Sequence, residues 1–391
     1  MNKIYLFIIF IFLLLYLYNK HNIVIYKLYT KLIKWSQIKY INNFQNFNLE
    51  LPEINYLDDE VNIISKTLID DLLEPIMYYK NLPGKNIRKI ITSYIGNKFK
   101  VDNQLIVFTY NFIDDLHNAS LVIDDIQDNS LIRRNSKTCH LKYGIPMSIG
   151  AASLYIFKKL KEYNYKVLDI IDYDILKNKE EYKYLDDKIV KMHIHYILSN
   201  KILNMIYLMN LGQQMDVFWT YKKKIPSIND YYYMIENKTG KLFTIIIEIF
   251  YELTNNITKK EYELYNLLLN KLALYFQIRD DYINITDPSY WKIKGFCEDF
   301  DEKKYSFIII QFYNDKNISI KNKKKFFKLF YKKNLSNLQK YNLLKIINKT
   351  NIFKNTYYIL IKLQDEIKEL NIDLNILNVS KFYLKDAKIY L

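Results

Sequence analysis

Along most of the chain, apolar positions return every three or four residues. In LIVFTYNFIDDLHNASLVIDD, Leu105 to Asp125, this spacing gives one apolar face and one polar face of a helix. Seven glycines and six prolines among 391 residues leave long segments without breakers. No succession of strand, turn and strand is visible, and neither a GxGxxG nor a phosphate-loop pattern occurs, which argues against a nucleotide-binding α/β fold. The pattern predicts an all-α protein. Half of the residues are apolar, enough for one large core, and residues 51–391 read as a single all-α domain.

The first fifty residues depart from this rhythm. Ile4 to Tyr18 is an uninterrupted apolar run between Lys3 and Lys20, and no acidic residue precedes Glu50. The run is shorter than the roughly 20 residues of a spanning helix and suits a signal h-region or a minimal signal anchor, with a buried core helix as the alternative. Lys20, Lys27, Lys31, Lys34 and Lys39 then form an acid-poor stretch suited to an anionic membrane surface or a transit segment. Residues 1–50 are therefore expected to be a membrane anchor, most simply at the endoplasmic reticulum or secretory pathway, with plastid or cytoplasm as alternatives.

Charge changes the picture less than its size suggests. The formal net charge is +15, but lysine is interspersed with asparagine, isoleucine and tyrosine along the chain, as a biased genome produces. The richest run, KNKKKFFKLFYKK from Lys321, alternates with aromatics and reads first as a solvated helix face, with anionic lipid or nucleic acid second. No nucleic-acid partner is expected. The four arginines, Arg88, Arg133, Arg134 and Arg279, are more informative, because a retained arginine offers the planar fork that grips phosphate. Cys139 and Cys297 make neither a disulfide framework nor a zinc pattern.

Arg133 and Arg134 close the segment LVIDDIQDNSLIRR. Asp124 and Asp128 stack one helical turn apart with Asp125 adjacent, so three carboxylates are expected to converge. Flanked by Leu121, Val122, Ile123 and Ile126, they lie on a helix that reads as largely buried, and buried carboxylates must be paired or bind metal. Oxygen-only ligation suits Mg²⁺, while a plain charge cluster is the alternative. A second pair, Asp280 and Asp281 in FQIRDDYIN, has Asn284 on the same helical face. Two such helices facing each other form a clamp for a diphosphate. Further phosphate donors lie in LPGKNIR (Lys85, Arg88), ENKTGKLF (Lys238, Thr239) and KIKGFCEDFDEKKYSF (Lys294, Lys304).

Taken in order, these segments together with LLEP, YGIP and GQQMD resemble the trans-prenyltransferase (isoprenyl diphosphate synthase) family, and within it the eukaryotic geranylgeranyl diphosphate synthases. The resemblance covers roughly Ile64 to Phe307. It implies an isoprenoid-synthase-type bundle of antiparallel helices around a central cavity, a homodimer or higher homo-oligomer, and three Mg²⁺ ions per active site. The residues it marks as catalytic are Asp124, Asp125, Asp128, Lys238 and Asp280, and as metal-binding Asp124, Asp125, Asp128, Asp280, Asp281 and Asn284. It gives Lys85, Arg88, His117 and Arg134 to isopentenyl diphosphate. Arg133, Lys238, Thr239, Gln277, Lys294 and Lys304 would hold the allylic diphosphate, and Gln213 and Asp216 would lie near the cavity. Arg279 is left for a structural ion pair with Asp280.

The implied reaction joins isopentenyl diphosphate head to tail with an allylic primer, most simply farnesyl diphosphate, to give geranylgeranyl diphosphate. Ala119 and Ser120, small residues one turn before Asp124, would leave the tail pocket open. A non-catalytic subunit of a heteromeric synthase and a class I terpene cyclase are the alternatives. Three features depart from the family. Residues 161–200 form a long inserted segment, expected as a surface loop or helix pair, whose His193 and His195 read as ordinary residues. Lys303 stands where the family has glycine, which bears on the reach of Lys304. The basic C-terminal third is poorly matched.

Overall fold

The computed structural model describes residues 66–84, 86–170, 176, 179, 182 and 186–372. The expected anchor in residues 1–50, the expected boundary near residue 50, and Lys85 all lie outside the described residues. No helix among the described residues is long and apolar enough to cross a membrane.

The all-α expectation is met: described residues from Lys66 onward pack as helices, with one two-residue ladder. The first helices, α1 (Lys66–Leu72), α2 (Glu74–Asn81) and α3 (Ile87–Lys98), lead to α4 (Asn103–Gln127), which carries the first aspartates. Asp102 starts α4 by accepting hydrogen bonds from the backbone N–H of Gln104 at 2.8 Å and of Leu105 at 3.3 Å. Leu105, Thr109, Phe112, Leu116, Ala119 and Val122 keep one stripe of this helix in the interior. Where α3 crosses α4, a Cβ on Gly96 would sit 2.4 Å from Ile106, so only glycine permits that approach.

After α4, Ile132–Arg133 (β1) and Ser136–Lys137 (β2) pair antiparallel, Ile132 opposite Lys137 and Arg133 opposite Ser136. The turn residues Arg134 and Asn135 have φ of 52° and 63°, the left-handed pair that a two-residue hairpin requires. A short α5 (Cys139–Tyr143) and α6 (Ile145–Ile170) follow, and α6 packs along α4. Next come α7 (Asp187–Lys222), α8 (Ile228–Ile235), a π-helical turn (Glu236–Gly240) and α9 (Lys241–Leu253). The second aspartate helix, α10 (Lys259–Thr286), begins at a capping box between Thr258 and Glu261. Beyond it are α11 (Pro288–Lys294), α12 (Glu298–Asp301), α13 (Phe307–Asn314), α14 (Ile320–Phe330), α15 (Asn337–Asn348) and α16 (Ile352–Lys368).

The core has two parts. The larger is contributed by α3, α4, α7, α9, α10 and the C-terminal helices, and the smaller gathers Ile76, Tyr79, Ala119, Val122, Ala152 and Tyr155 between α2, α4 and α6. The stretch 161–200 ends α6 and begins α7. Its described part is the end of one helix and the start of the next, as the helix-pair expectation has it, with Tyr163, Val167, Leu176, Tyr182 and Val190 buried in the larger core and Tyr165, Ile189, Met192 and Tyr196 exposed. His193 packs edge-on against Tyr182 at 5.7 Å between ring centres.

Candidate active site

The α4 and α10 helices, the hairpin, the π-turn and the loop before α13 surround a cavity of about 250 Å³. Asp124 and Asp128 line it from α4 and Asp280 from α10, so the two aspartate motifs do face one space. Lys238 and Thr239 reach it from the π-turn, Gln277 from α10, and Lys294 and Lys304 from the bent segment before α13. Its apolar lining is aliphatic, including Leu116, Leu121, Ile156, Ile206 and Met209, with no Phe, Tyr or Trp ring among the described residues.

Within the first motif the three aspartates divide. Asp124 accepts a hydrogen bond from Gln213 Nε2 at 3.0 Å and pairs with Lys238 at 3.2 Å and Arg133 at 3.4 Å. Burial opposes its ionisation, but Lys238, Arg133 and Lys304 outweigh burial and hold its carboxyl well below the usual carboxylate range. Asp128 is the reverse case. Among the described residues no side chain hydrogen-bonds or pairs with its carboxylate, and burial together with Asp124 pushes its pKa well up. Asp125, expected beside them, is fully buried: Arg133 Nε donates to its two oxygens at 2.9 and 3.1 Å, and the Tyr79 hydroxyl donates to it as well. It does not line the cavity, because adjacent helix positions point about 100° apart.

The second motif repeats the division. Asp280 lines the cavity, accepts from the Tyr290 hydroxyl at 2.6 Å and lies 3.5 Å from Lys294. Asp281 is buried, accepting from the Tyr231 hydroxyl at 2.5 Å, the Phe307 N–H at 2.8 Å and Gln277 Nε2 at 3.1 Å, with Lys304 at 3.8 Å. Asn284 is also withdrawn, its Oδ1 accepting from the Asp299 N–H at 3.3 Å. The convergence expected of the two full motifs is thus reduced to Asp124, Asp128 and Asp280.

Those three fit Mg²⁺. They are hard oxygen ligands, and Asp128 is a partly buried carboxylate still lacking a cation. Among the described residues no three His, Cys, Asp or Glu side chains come close enough to cage an ion by themselves. A cation that keeps waters and shares ligands with substrate phosphates needs no such cage.

Among the residues assigned to isopentenyl diphosphate, Arg88 and His117 line the cavity. The Arg88 guanidinium lies 5.2 Å from the Phe243 ring centre, its Nε is buried without a hydrogen-bond partner, and burial lowers its pKa to about 10. Burial, then Arg88, Arg134 and Arg133, push His117 well below the ordinary histidine value and keep it neutral. Arg134 turns the other way. Its Nη1 donates to the carbonyls of Tyr79 at 3.1 Å and Leu82 at 3.3 Å, clamping the end of α2 outside the cavity lining.

Ser120 faces the cavity and donates to the His117 carbonyl at 2.8 Å, but Ala119 is buried in the smaller core. Four residues of helix return to nearly the same face as Asp124, whereas five do not. Arg279 forms no ion pair among the described residues, and its Nε is buried without a partner. Neighbours in a helix do not face each other, so the expected pair with Asp280 does not form. Lys303 takes the left-handed φ of 58°, supplying the conformation for which glycine is suited, and Lys304 still lines the cavity.

Several site features escaped sequence reasoning. Glu298 and Glu302 line the cavity, and burial, then Glu302, raise the Glu298 pKa to about 7. The acidic run CEDFDE was the signal. Gln213 lines the cavity and Asp216 lies 2.8 Å from Lys238, both near it as expected; what escaped is that this placement depends on Gly212 of the same GQQMD segment. A Cβ on Gly212 would meet Lys238 N at 2.5 Å and Met234 O at 2.8 Å, so α7 and the π-turn touch through it.

Residues 69–347 match the family model for polyprenyl synthetase. The chain is 33% identical over 237 residues to geranylgeranyl pyrophosphate synthase 2 of Gibberella fujikuroi, covering 60% of this chain and 53% of that protein. It is 31% identical over 241 residues to geranylgeranyl pyrophosphate synthase of Mucor circinelloides, covering 62% and 69%. It is also 34% identical over 248 residues to a protein named terpene synthase in Matsumurasca onukii, covering 63% and 70%. The match thus spans from about half to 70% of these relatives' own lengths. A family model that covers most of the chain, on a helical bundle whose two aspartate motifs meet at one cation-lined cavity, makes this chain a member of the polyprenyl synthetase family of trans-prenyltransferases.

Proposed function

We propose that the chain condenses isopentenyl diphosphate head to tail with an allylic diphosphate, preferably farnesyl diphosphate, to give geranylgeranyl diphosphate. The observation that carries this reading is Arg88. Arg133, Lys238, Lys294 and Lys304 each pair with a carboxylate at the cavity, while Arg88 enters it with no ion pair among the described residues, Asp114 acting on it only at longer range. A second anionic substrate accounts for that unpaired donor. A cation beyond those four favours a two-substrate condensation over a cyclase, and two furnished aspartate motifs favour an active chain over a subunit without activity.

Mg²⁺ held by Asp124, Asp128 and Asp280 would supply the charge neutralisation that a departing diphosphate needs. Lys238, Arg133, Lys294 and Lys304 bind the allylic diphosphate and stabilise the negative charge that grows on it as its C–O bond breaks. Arg88 and neutral His117, the latter as a hydrogen-bond donor, hold isopentenyl diphosphate so that its double bond meets the allylic carbon. The new carbon–carbon bond leaves a tertiary cation, and transfer of a proton from it to the departed diphosphate restores the alkene. Small Ser120 and a lining without Phe, Tyr or Trp support a tail longer than fifteen carbons.

Two partner readings accompany this function. Exposed Leu154 and Phe157 on α6, with Leu203 and Tyr207 on α7, support a homodimer; Phe157 is 71% exposed and Tyr207 64%. The apolar run Ile4 to Tyr18 supports attachment to a membrane, taken as that of the endoplasmic reticulum. The test of function is incubation of the full chain with labelled isopentenyl diphosphate, Mg²⁺ and dimethylallyl, geranyl or farnesyl diphosphate. Labelled geranylgeranyl diphosphate is expected; a folded dimer that extends no primer contradicts the proposal.

A further inference from the structure

Thirteen of the +15 formal charges lie in residues 316–364, a stretch with thirteen lysines and no aspartate or glutamate. Lysine bias alone spreads charge along a chain; it does not remove acids from one segment. The fold then focuses this charge. On α14, Lys321, Lys325 and Lys328 recur at helical spacing, and Lys332 follows on the same rhythm just past its end. On α15, Leu338, Tyr341 and Lys345 share a face that Lys349 continues. The two helices pack together, and between them lies a groove of about 440 Å³ lined by Lys325, Lys328, Lys332, Lys345 and Lys349. All five lysines are exposed, and among the described residues no carboxylate pairs with any of them.

We propose that this groove and its flanking helix faces dock the protein on an anionic bilayer surface. Three observations favour a bilayer over a compact phosphate ligand or a nucleic acid. The groove has lysine ammoniums only and no arginine fork, so it offers diffuse charge without the geometry that grips a single phosphate. Its floor is aliphatic, Leu329 and Ile346, and the exposed ring beside it, Tyr341, is covered by Lys345 at 4.7 Å, which leaves a poor platform for a base. Apolar side chains stand beside the lysines, Ile320 being 72% exposed and Leu338 70%, and lysines with protruding apolar residues are the composition of an interfacial helix.

The groove is also tied to the cavity. Buried Lys340 of α15 donates to the Phe296 carbonyl at 2.7 Å and pairs with Asp301, within the segment that bears Glu298 and Glu302. Docking through α14 and α15 would therefore bear, through Lys340, on the segment that lines the reaction cavity. This inference does not rest on the reaction assigned to the cavity, nor on residues 1–50.

The test is sedimentation of the full chain with vesicles of phosphatidylcholine alone or mixed with phosphatidylserine. It compares the natural protein with a variant in which Lys325, Lys328, Lys332, Lys345 and Lys349 are all glutamine, and with a second in which they are all arginine. Any contribution of the N-terminal run is common to all three. The natural and arginine proteins are expected to prefer phosphatidylserine vesicles by about tenfold or more over the glutamine variant, in a salt-sensitive manner. Free inorganic phosphate at matching concentration should not displace them. Equal partitioning of the glutamine variant overturns the proposal. So does displacement by free phosphate, or a lysine-dependent affinity for single-stranded RNA with no lysine-dependent affinity for vesicles.

Discussion

The two aspartate doublets, one near the end of α4 and one near the end of α10, are built alike and held differently. In each, the first member opens to the cavity and the second is buried. Asp125 is neutralised by an arginine from a neighbouring hairpin, whereas Asp281 is held by two side-chain donors, a backbone N–H and a distant lysine. An adjacent pair of aspartates on a helix is therefore not a pair of equivalent ligands. One opens to the cavity and the other fixes the helix end on which the first is carried.

The largest effects should come from breaking the buried members. Asp125→Ala leaves the Arg133 guanidinium with only Asp124, at 3.4 Å, and Asp281→Ala strands Tyr231 and the Phe307 N–H; each should cost about 3–5 kcal/mol in denaturant unfolding. Removing the open members should do the opposite. Asp128→Ala should lower turnover by about 10²–10³-fold at a near-native unfolding midpoint, and Asp280→Ala should lower it as much with a small loss of midpoint, because Lys294 and the Tyr290 hydroxyl lose a partner. A native midpoint for Asp281→Ala, or a collapsed one for Asp128→Ala, would remove the distinction.

Smaller effects sharpen the account around the first doublet. Gly212→Ala forces α7 away from the π-turn that bears Lys238 and should cost roughly 1–3 kcal/mol of stability. Turnover should fall by up to about 10²-fold through displacement of that lysine. Ser120→Phe should shift the main product from geranylgeranyl to farnesyl diphosphate, a preference worth about 1–3 kcal/mol and read from product chromatography. The smallest effect concerns pH. The folded pKa of Glu298, about 7, lies above its ordinary value of 4.5, so the unfolded chain loses this proton first. Its contribution to stability is fully present below 4.5 and is lost as pH rises through about 7. Glu298→Gln should flatten the fall in melting temperature across that window, measured without substrate or metal.

The helical fold and most of the cavity lining were legible from spacing and from the resemblance. Asp124, Asp128, Asp280, Lys238 and Arg88 fall where those readings put them, and Lys304 reaches the cavity despite Lys303. What was not legible turns on direction around a helix or on contacts distant in sequence. Treating Asp125 as a third converging carboxylate ignored the rotation between neighbours, and the same rotation removed Ala119 from the cavity and Arg279 from Asp280. The hairpin that separates Arg133 from Arg134 has two-residue strands and no glycine in its turn, too little for a pattern to register. The π-turn and its need for Gly212 arise only when α7 is packed against it.

The division within the doublets is tested most directly on Asp124 and Asp125, replaced one at a time by asparagine, which keeps shape and removes charge. For each variant, turnover of labelled isopentenyl diphosphate and the thermal midpoint would be measured on the same preparation. The account predicts that Asp124→Asn loses turnover at a near-native midpoint, while Asp125→Asn loses its midpoint first and keeps turnover in proportion to the folded fraction. Equal loss of turnover at native midpoints in both variants would contradict it, and would make the doublet one catalytic unit.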